Sequence, residues 1–215
     1  MRFAGLIATA LAGAVIVAAC GPAATPSGPL SACGADRQDM ISIGGFPDLE
    51  RELPTSLDGR APDVVNSGRS CSDRALGSLV SHGIQELHYA GATWTRSQTE
   101  GSVVAVLATP PGQPAVQLPW IEEFYTAGAV AATKTDNVTT TRPTFESAGQ
   151  VFQLDVLNDL SQQTIVIWQG ERVIHVVIVA TEVGPTASRA DHDARIAAAV
   201  AIAAVPGPTP LPSAP

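Results

Sequence analysis

Gln150-Val151-Phe152-Gln153-Leu154-Asp155-Val156-Leu157, Thr164-Ile165-Val166-Ile167-Trp168 and Arg172-Val173-Ile174-His175-Val176-Val177-Ile178-Val179-Ala180 follow one another closely. Turn residues separate these β-branched runs, Asn158-Asp159 before the second and Gln169-Gly170 before the third. Short turns between such runs predict an antiparallel meander. The third run is apolar on both faces, which predicts a central strand screened on each side.

Working outward, Ser188-Arg189-Ala190-Asp191 reads as a capping box opening a helix, with Asp191 able to pair with Arg195 one turn on. Ile196, Ala199, Val200 and Ala203 form a narrow stripe of mostly small side chains, suited to close packing on a sheet. Pro206 ends that helix. On the N-terminal side, Val138 to Phe145 reads as an extended Thr-rich segment. Before it, Pro119, Glu122 and Glu123 suit the first turns of a helix, with Ile121, Phe124, Tyr125 and Gly128 on one face. Ala92 to Arg96 and Ser102 to Thr109 predict a strand pair joined through Thr99-Glu100-Gly101. Ser72 or Asp73 can cap a helix carrying Leu76, Leu79 and Val80, which Gly83 ends. A helical turn over Ile84 to Tyr89 and a short helix at Asp48 to Leu53, within an irregular stretch reaching Pro62, complete the reading. The fold class expected is α+β: an antiparallel sheet of five to six strands including the C-terminal meander, packed with two or three helices. Secreted bacterial domains of the PsbP-like α/β/α kind have a similar order of elements. That likeness is architectural and rests on no shared motif.

The first twenty residues carry a different message. Arg2 is followed by an uncharged apolar run from Phe3 to Ala19, and then by Cys20 and a turn to Gly, Pro, Ser and Thr. Val17-Ala18-Ala19-Cys20 resembles the lipobox of bacterial prolipoproteins. The resemblance implies a diacylglyceryl group on the Cys20 thiol and cleavage after Ala19, so that residues 1–19 are a signal peptide. An uncleaved apolar anchor and an ordinary signal peptide cut near Ala19 are the alternatives. One acyl chain binds a membrane only reversibly, at about 0.8 kcal/mol per buried methylene, and the several chains of a lipoprotein answer that. Residues 20–32 then form a Pro/Gly/Ser spacer, 33–205 a single domain and 206–215 an extended Pro-rich tail.

With Cys20 assigned to lipid, Cys33 and Cys71 remain as an even pair in an oxidising compartment, and a disulfide is expected. Closing such a loop contributes on the order of 4 kcal/mol in the chain-entropy picture. The formal charge of the chain is −8, with eleven Arg and the single Lys134. No polybasic patch is present to grip phosphates, which argues against nucleic acid. Anionic lipid headgroups repel such a body, so it is expected to stand off the membrane that holds it.

No catalytic signature is found: no Gly-x-Ser-x-Gly, no phosphate loop, no His-Glu-x-x-His and no dinucleotide glycines. Asp191-His192-Asp193 has ligand chemistry, but adjacent helical residues point about 100° apart, and helix-start acids serve the dipole. No metal and no cofactor are expected. His175 falls on the side of Val173, Val177 and Val179, where a histidine can be a buried proton switch or an acid/base; a hydrogen-bonded core or half-buried sheet histidine is expected. His82 and His88 read as surface residues at the ends of the first helical region. Trp94, Trp120 and Trp168 would line a ligand cleft if they converged. The glycosylation sequon Asn137-Val138-Thr139 is read as accidental.

The expectation is a non-enzymatic lipoprotein on the extracytoplasmic face of the cell membrane. It would act as a binding or accessory module for an envelope protein, a lipid or a glycan. The alternative is an envelope hydrolase or transferase whose site assembles only in space.

Overall fold

The computed structural model describes residues 30–132, 135–158, 161–184 and 188–205. The lipobox, Cys20, the spacer up to Pro29 and the tail from Pro206 lie outside the described residues. Strands β1 (Met40–Ser42), β2 (Val64–Ser70), β3 (Leu87–Thr95), β4 (Gly101–Ala108), β5 (Thr135–Thr141), β6 (Thr144–Phe145), β7 (Gly149–Gln150), β8 (Phe152–Asn158), β9 (Ser161–Gln169) and β10 (Ile174–Glu182) alternate with helices α1 (Pro47–Glu50), α2 (Asp73–Leu76), α3 (Leu118–Ala131) and α4 (Arg189–Ala203). A 3-10 helix, Gly77–His82, follows α2 directly.

The fold is α+β, and the main sheet is larger than the five to six strands expected. Eight strands run in the order β1-β2-β3-β4-β10-β9-β8-β5, each pair antiparallel, with β6 and β7 as a separate small hairpin. The meander β8-β9-β10 forms as its turn residues dictate. Strand β10 lies centrally, with Val176 opposite Ile167 on one side and Ala105 on the other. Its alternation divides the core in two. Ile174 and Val176 face Ile121, Tyr125 and Ala129 of α3, while Val177 and Val179 face Ile196, Ala199 and Val200 of α4. The small side chains of α4 let its backbone approach the strands closely.

Strand β2 has no apolar alternation. It reads Val64-Val65-Asn66-Ser67-Gly68-Arg69-Ser70, yet Ser67, Arg69 and Ser70 are buried. Partners from elsewhere in the chain make that burial tolerable. Ser67 Oγ donates to Glu50 Oε1 at 2.7 Å and accepts from the Phe46 amide at 2.6 Å, and Arg69 donates to the Ala32 carbonyl at 2.7 Å.

Two local expectations are corrected. The helix predicted from Ser72 to Gly83 is broken at Gly77, whose φ of +52° an α-helix cannot accommodate; a Cβ there would also meet the Phe124 ring at 3.2 Å. The helical turn predicted over Ile84 to Tyr89 is instead the entry to β3, because Leu87 to Thr95 pair with β2 and β4. That pairing satisfies backbone groups that a lone helical turn would leave open.

Candidate functional site

The Cys33–Cys71 disulfide closes across a Cα–Cα distance of 5.9 Å, where the described chain joins the sheet. Polar bonds converge on the same point. The Cys33 amide donates to Glu86 Oε2 at 3.0 Å, and Arg37 Nε donates to the Cys71 carbonyl at 2.8 Å. Asp39 accepts from the Cys71 amide at 2.7 Å and from the Ser72 amide and hydroxyl at 2.9 and 2.6 Å. Burial would raise the Asp39 pKa, but these Ser72 and Cys71 bonds and the Arg37 charge outweigh it and hold the carboxyl below its ordinary range. The entrance to the domain is thus pinned by a covalent bond and by charge-assisted hydrogen bonds.

A shallow groove of about 700 Å³ lies beside α1 and the start of β2. Pro47, Leu53, Pro54, Pro62 and Val65 give it an apolar lining, with Glu50 and Arg51 at its border. The Glu50 carboxylate is already engaged, accepting from Ser67 Oγ and from the Gly44 amide at 2.8 Å. Arg51, just past the end of α1, pairs with Asp48 and is more than half exposed. A surface with prolines, aliphatic side chains and one rim guanidinium suits an extended chain more than a compact polar metabolite. Most of its residues come from the irregular Asp48 to Pro62 stretch, with Pro47 of α1 and Val65 of β2 added.

A second constellation lies under α4, and sequence reasoning did not assemble it. His192 and Thr164 are almost fully buried. His192 Nε2 lies 2.8 Å from Thr164 Oγ1, and His192 Nδ1 lies 2.8 Å from Thr181 Oγ1. The Thr164 hydroxyl donates to Asp155 Oδ1. Because that proton points at the carboxylate, Thr164 accepts from Nε2–H, and Thr181 donates to Nδ1. Burial, then the Arg189 charge, lowers the His192 pKa, against opposing pulls from Asp193 and Asp155. The neutral Nε2–H form follows. A hydroxyl serving as nucleophile would direct its proton to the imidazole, which is the reverse polarity. The chain Thr181–His192–Thr164–Asp155 therefore fastens α4 to β8, β9 and β10.

The remaining histidines separate. His175 stacks on Trp168, with ring centroids 5.0 Å apart and planes 7° from parallel; its Nδ1 is buried with no hydrogen-bond partner. Burial lowers its pKa, partly offset by Glu52. Among the described residues, no Asp or Ser is hydrogen-bonded to it. His82 stacks on Trp120 and lies 2.9 Å from Glu123 Oε2. His88 belongs to β3 and not to a helix end: it stacks on Phe46 and lies 2.7 Å from the buried Glu86.

The three tryptophans are not brought together. Trp120 packs with the α3 core, whereas Trp94 and Trp168 belong to the α4 core. Trp94 pairs with Ser102 near one end of the sheet and Trp168 with His175 near the other. Alternation and strand register thus keep all three apart. Around Asp191-His192-Asp193, Ser188 Oγ caps the Asp191 amide and Arg189 pairs with Asp193. The expected Asp191–Arg195 pair is replaced by Arg195 with Glu100, at 3.3 Å. Among the described residues no group of three His, Cys, Asp or Glu side chains is placed to hold a metal ion. No helix among them is long and apolar enough to cross a membrane.

The architecture defines a class: an α+β sandwich whose antiparallel sheet carries helices on both faces. Comparison with protein-family models, curated proteins and solved structures finds no match to this chain.

Proposed function

We propose that this chain is an extracytoplasmic lipoprotein, held to the cell membrane by a diacylglyceryl group on Cys20. Its domain serves as a non-enzymatic binding or accessory module of the envelope, and the groove beside α1 is its docking surface. The observation that carries this reading is the Cys33–Cys71 disulfide at the point where the tethered chain enters the domain. Disulfides persist in oxidising compartments, and one placed there resists a pull from the anchor. The groove supports a binding role, since it presents apolar side chains at an open surface. The alternative, a hydrolase or transferase, would draw on Asp155, Thr164 and His192; Thr164 and His192 are buried beneath α4, and the hydroxyl proton is directed away from the imidazole.

Metabolic labelling with radioactive palmitate tests the anchor. Label is expected in the wild-type chain and absent from Cys20→Ala; equal incorporation in both would overturn it. A photo-crosslinking residue at Thr55, in the groove, tests the docking surface against one at Val130, on the exposed side of α3. Discrete adducts are expected from position 55 alone. The same adducts from both positions would remove the groove from the proposal.

A further inference from the structure

The exposed large apolar side chains are not scattered evenly. Four of the nine among the described residues, Met40, Ile41, Ile43 and Val64, are gathered on and around β1, each between 42% and 46% exposed. Strand β1 pairs only with Ser67 to Arg69, so the first half of β2 is also at the rim of the sheet. Ile41 stands opposite Gly68, on the same face as Val64, and Met40 stands opposite Arg69 on the other face. An exposed apolar side chain therefore stands on each side of this rim.

We propose that this edge, formed by Met40, Ile41, Ile43 and Val64, rests on the bilayer that holds Cys20, so that the domain lies against the membrane surface. The inference rests on the lipid-anchor reading and goes beyond it, because a tether alone leaves orientation open.

Three observations favour a lipid surface as the occupant. The described chain begins beside the edge: the Leu30 amide donates to the Gly45 carbonyl at 2.9 Å, two residues beyond Ile43. The ten peptide steps from Cys20 to Leu30 reach at most about 35 Å when fully extended, and a domain of this length is roughly 40 Å across. The chain therefore reaches the bilayer with least extension when this edge faces it. Several charges next to the edge are bound within the domain: Arg37 to Asp73, Asp39 to Ser72, Arg69 to the Ala32 carbonyl, and Asp63 to Arg60 and the Thr95 amide. Aliphatic side chains can then enter the headgroup boundary without dragging unpaired charge with them. The acidic body is repelled by anionic lipid, so contact is firmest on zwitterionic bilayers. Val65, on the groove lining, is next to Val64, so the groove opens close to the membrane surface.

The test uses the full lipidated chain, reconstituted into phosphatidylcholine vesicles with brominated acyl chains. In Ile41→Trp the added fluorescence is expected to be quenched strongly, and in Val130→Trp it is not. Hydrogen exchange on the unsubstituted chain gives a second measure. Amides 39–45 are expected to exchange more slowly on vesicles than in residues 20–215 made without the lipid. Retention on vesicles with neither quenching nor protection would mean that the domain stands off, and overturns the inference while leaving the anchor intact. Failure of the wild-type chain to stay on vesicles would instead reject the anchor, and the inference with it. Protection that needs other envelope proteins and is absent on pure lipid would assign the edge to a protein partner and also overturn it.

Discussion

His192 on α4 donates from Nε2 to Thr164 Oγ1 on β9, across 2.8 Å and 28 positions of sequence. This buried bond ties the last helix to the middle of the sheet. It passes on through the Thr164 hydroxyl to Asp155 of β8, and Thr181 of β10 completes it from the other ring nitrogen. Arg189 and Arg195 flank it on α4, with Asp193 and Glu100 as their nearest carboxylates. Four elements thus share one polar seam inside an otherwise apolar interface.

Thr164→Val keeps the shape of the side chain but removes both bonds. It leaves the imidazole N–H buried without an acceptor and takes one of the donors from Asp155, which still accepts from Gln153, at a cost of about 2 kcal/mol. Chemical denaturation should show that loss, while Thr164→Ser should recover most of it. Equal stability of the valine and serine variants would mean that the seam contributes little.

The stability of the domain should fall on acidification below about pH 6.5, the ordinary histidine value. His192 and His175 both have lowered pKa values in the folded state, chiefly through burial. In that window the unfolded chain binds protons that the folded chain refuses, so stability is complete above it and is lost as pH falls. Asp39 adds a second loss further down, below its ordinary value of 3.8, because its folded carboxyl stays ionised where the unfolded one protonates. Denaturant midpoints across this range should decline first in the histidine window. His192→Gln should flatten that first step, and an unchanged slope in this variant would assign it elsewhere.

Gly170 has no room for a side chain. A Cβ there would sit 2.7 Å from His175 Nε2 and 2.9 Å from its Cδ2. Gly170→Ala should therefore push the imidazole off Trp168 and destabilise by about 1–3 kcal/mol. In a His175→Ala background the same change should be nearly neutral. Thermal unfolding of the two singles and the double gives the comparison, and additive losses would refute the contact.

Gly68 supports the proposed membrane edge from beneath. A Cβ on it would meet the Met40 carbonyl at 2.3 Å and the Tyr89 hydroxyl at 2.5 Å, the first of these rigid backbone. Gly68→Ala should loosen β1 from β2, seen as faster amide exchange over residues 40–42, with β9 and β10 unaffected. Tyr89, whose phenol burial pushes up to about 12, should then titrate closer to its ordinary value. Unchanged exchange at β1 would show that the strand tolerates the side chain.

The meander was legible because its signal is local: β-branched runs, short turns, and a last run apolar on both faces that belongs in the centre. The two strands at the β1 edge were not, since Val64 to Ser70 carries Asn, Ser, Gly and Arg where a strand pattern would show alternation. Those polar groups are acceptable only because Glu50, the Phe46 amide and Ala32 meet them. His192 shows the converse. It falls on the Ile196, Ala199, Val200 and Ala203 stripe by helical spacing, so its burial could have been read. Its partners Thr164 and Thr181 could not, being set by the register of β9 with β10.

Residue order alone determined the element types over the meander, the capping of α4, the pairing chemistry open to Cys33 and Cys71, and the lipobox reading of Cys20. Each depends on neighbours a few positions away or on residue type. The tertiary structure decided that eight strands share one sheet, that the tryptophans part, and that a polar seam forms under α4. It also decided that the chain enters beside an apolar edge. Those outcomes depend on which side chains meet across long separations, where strand register and the desolvation of polar groups select the arrangement.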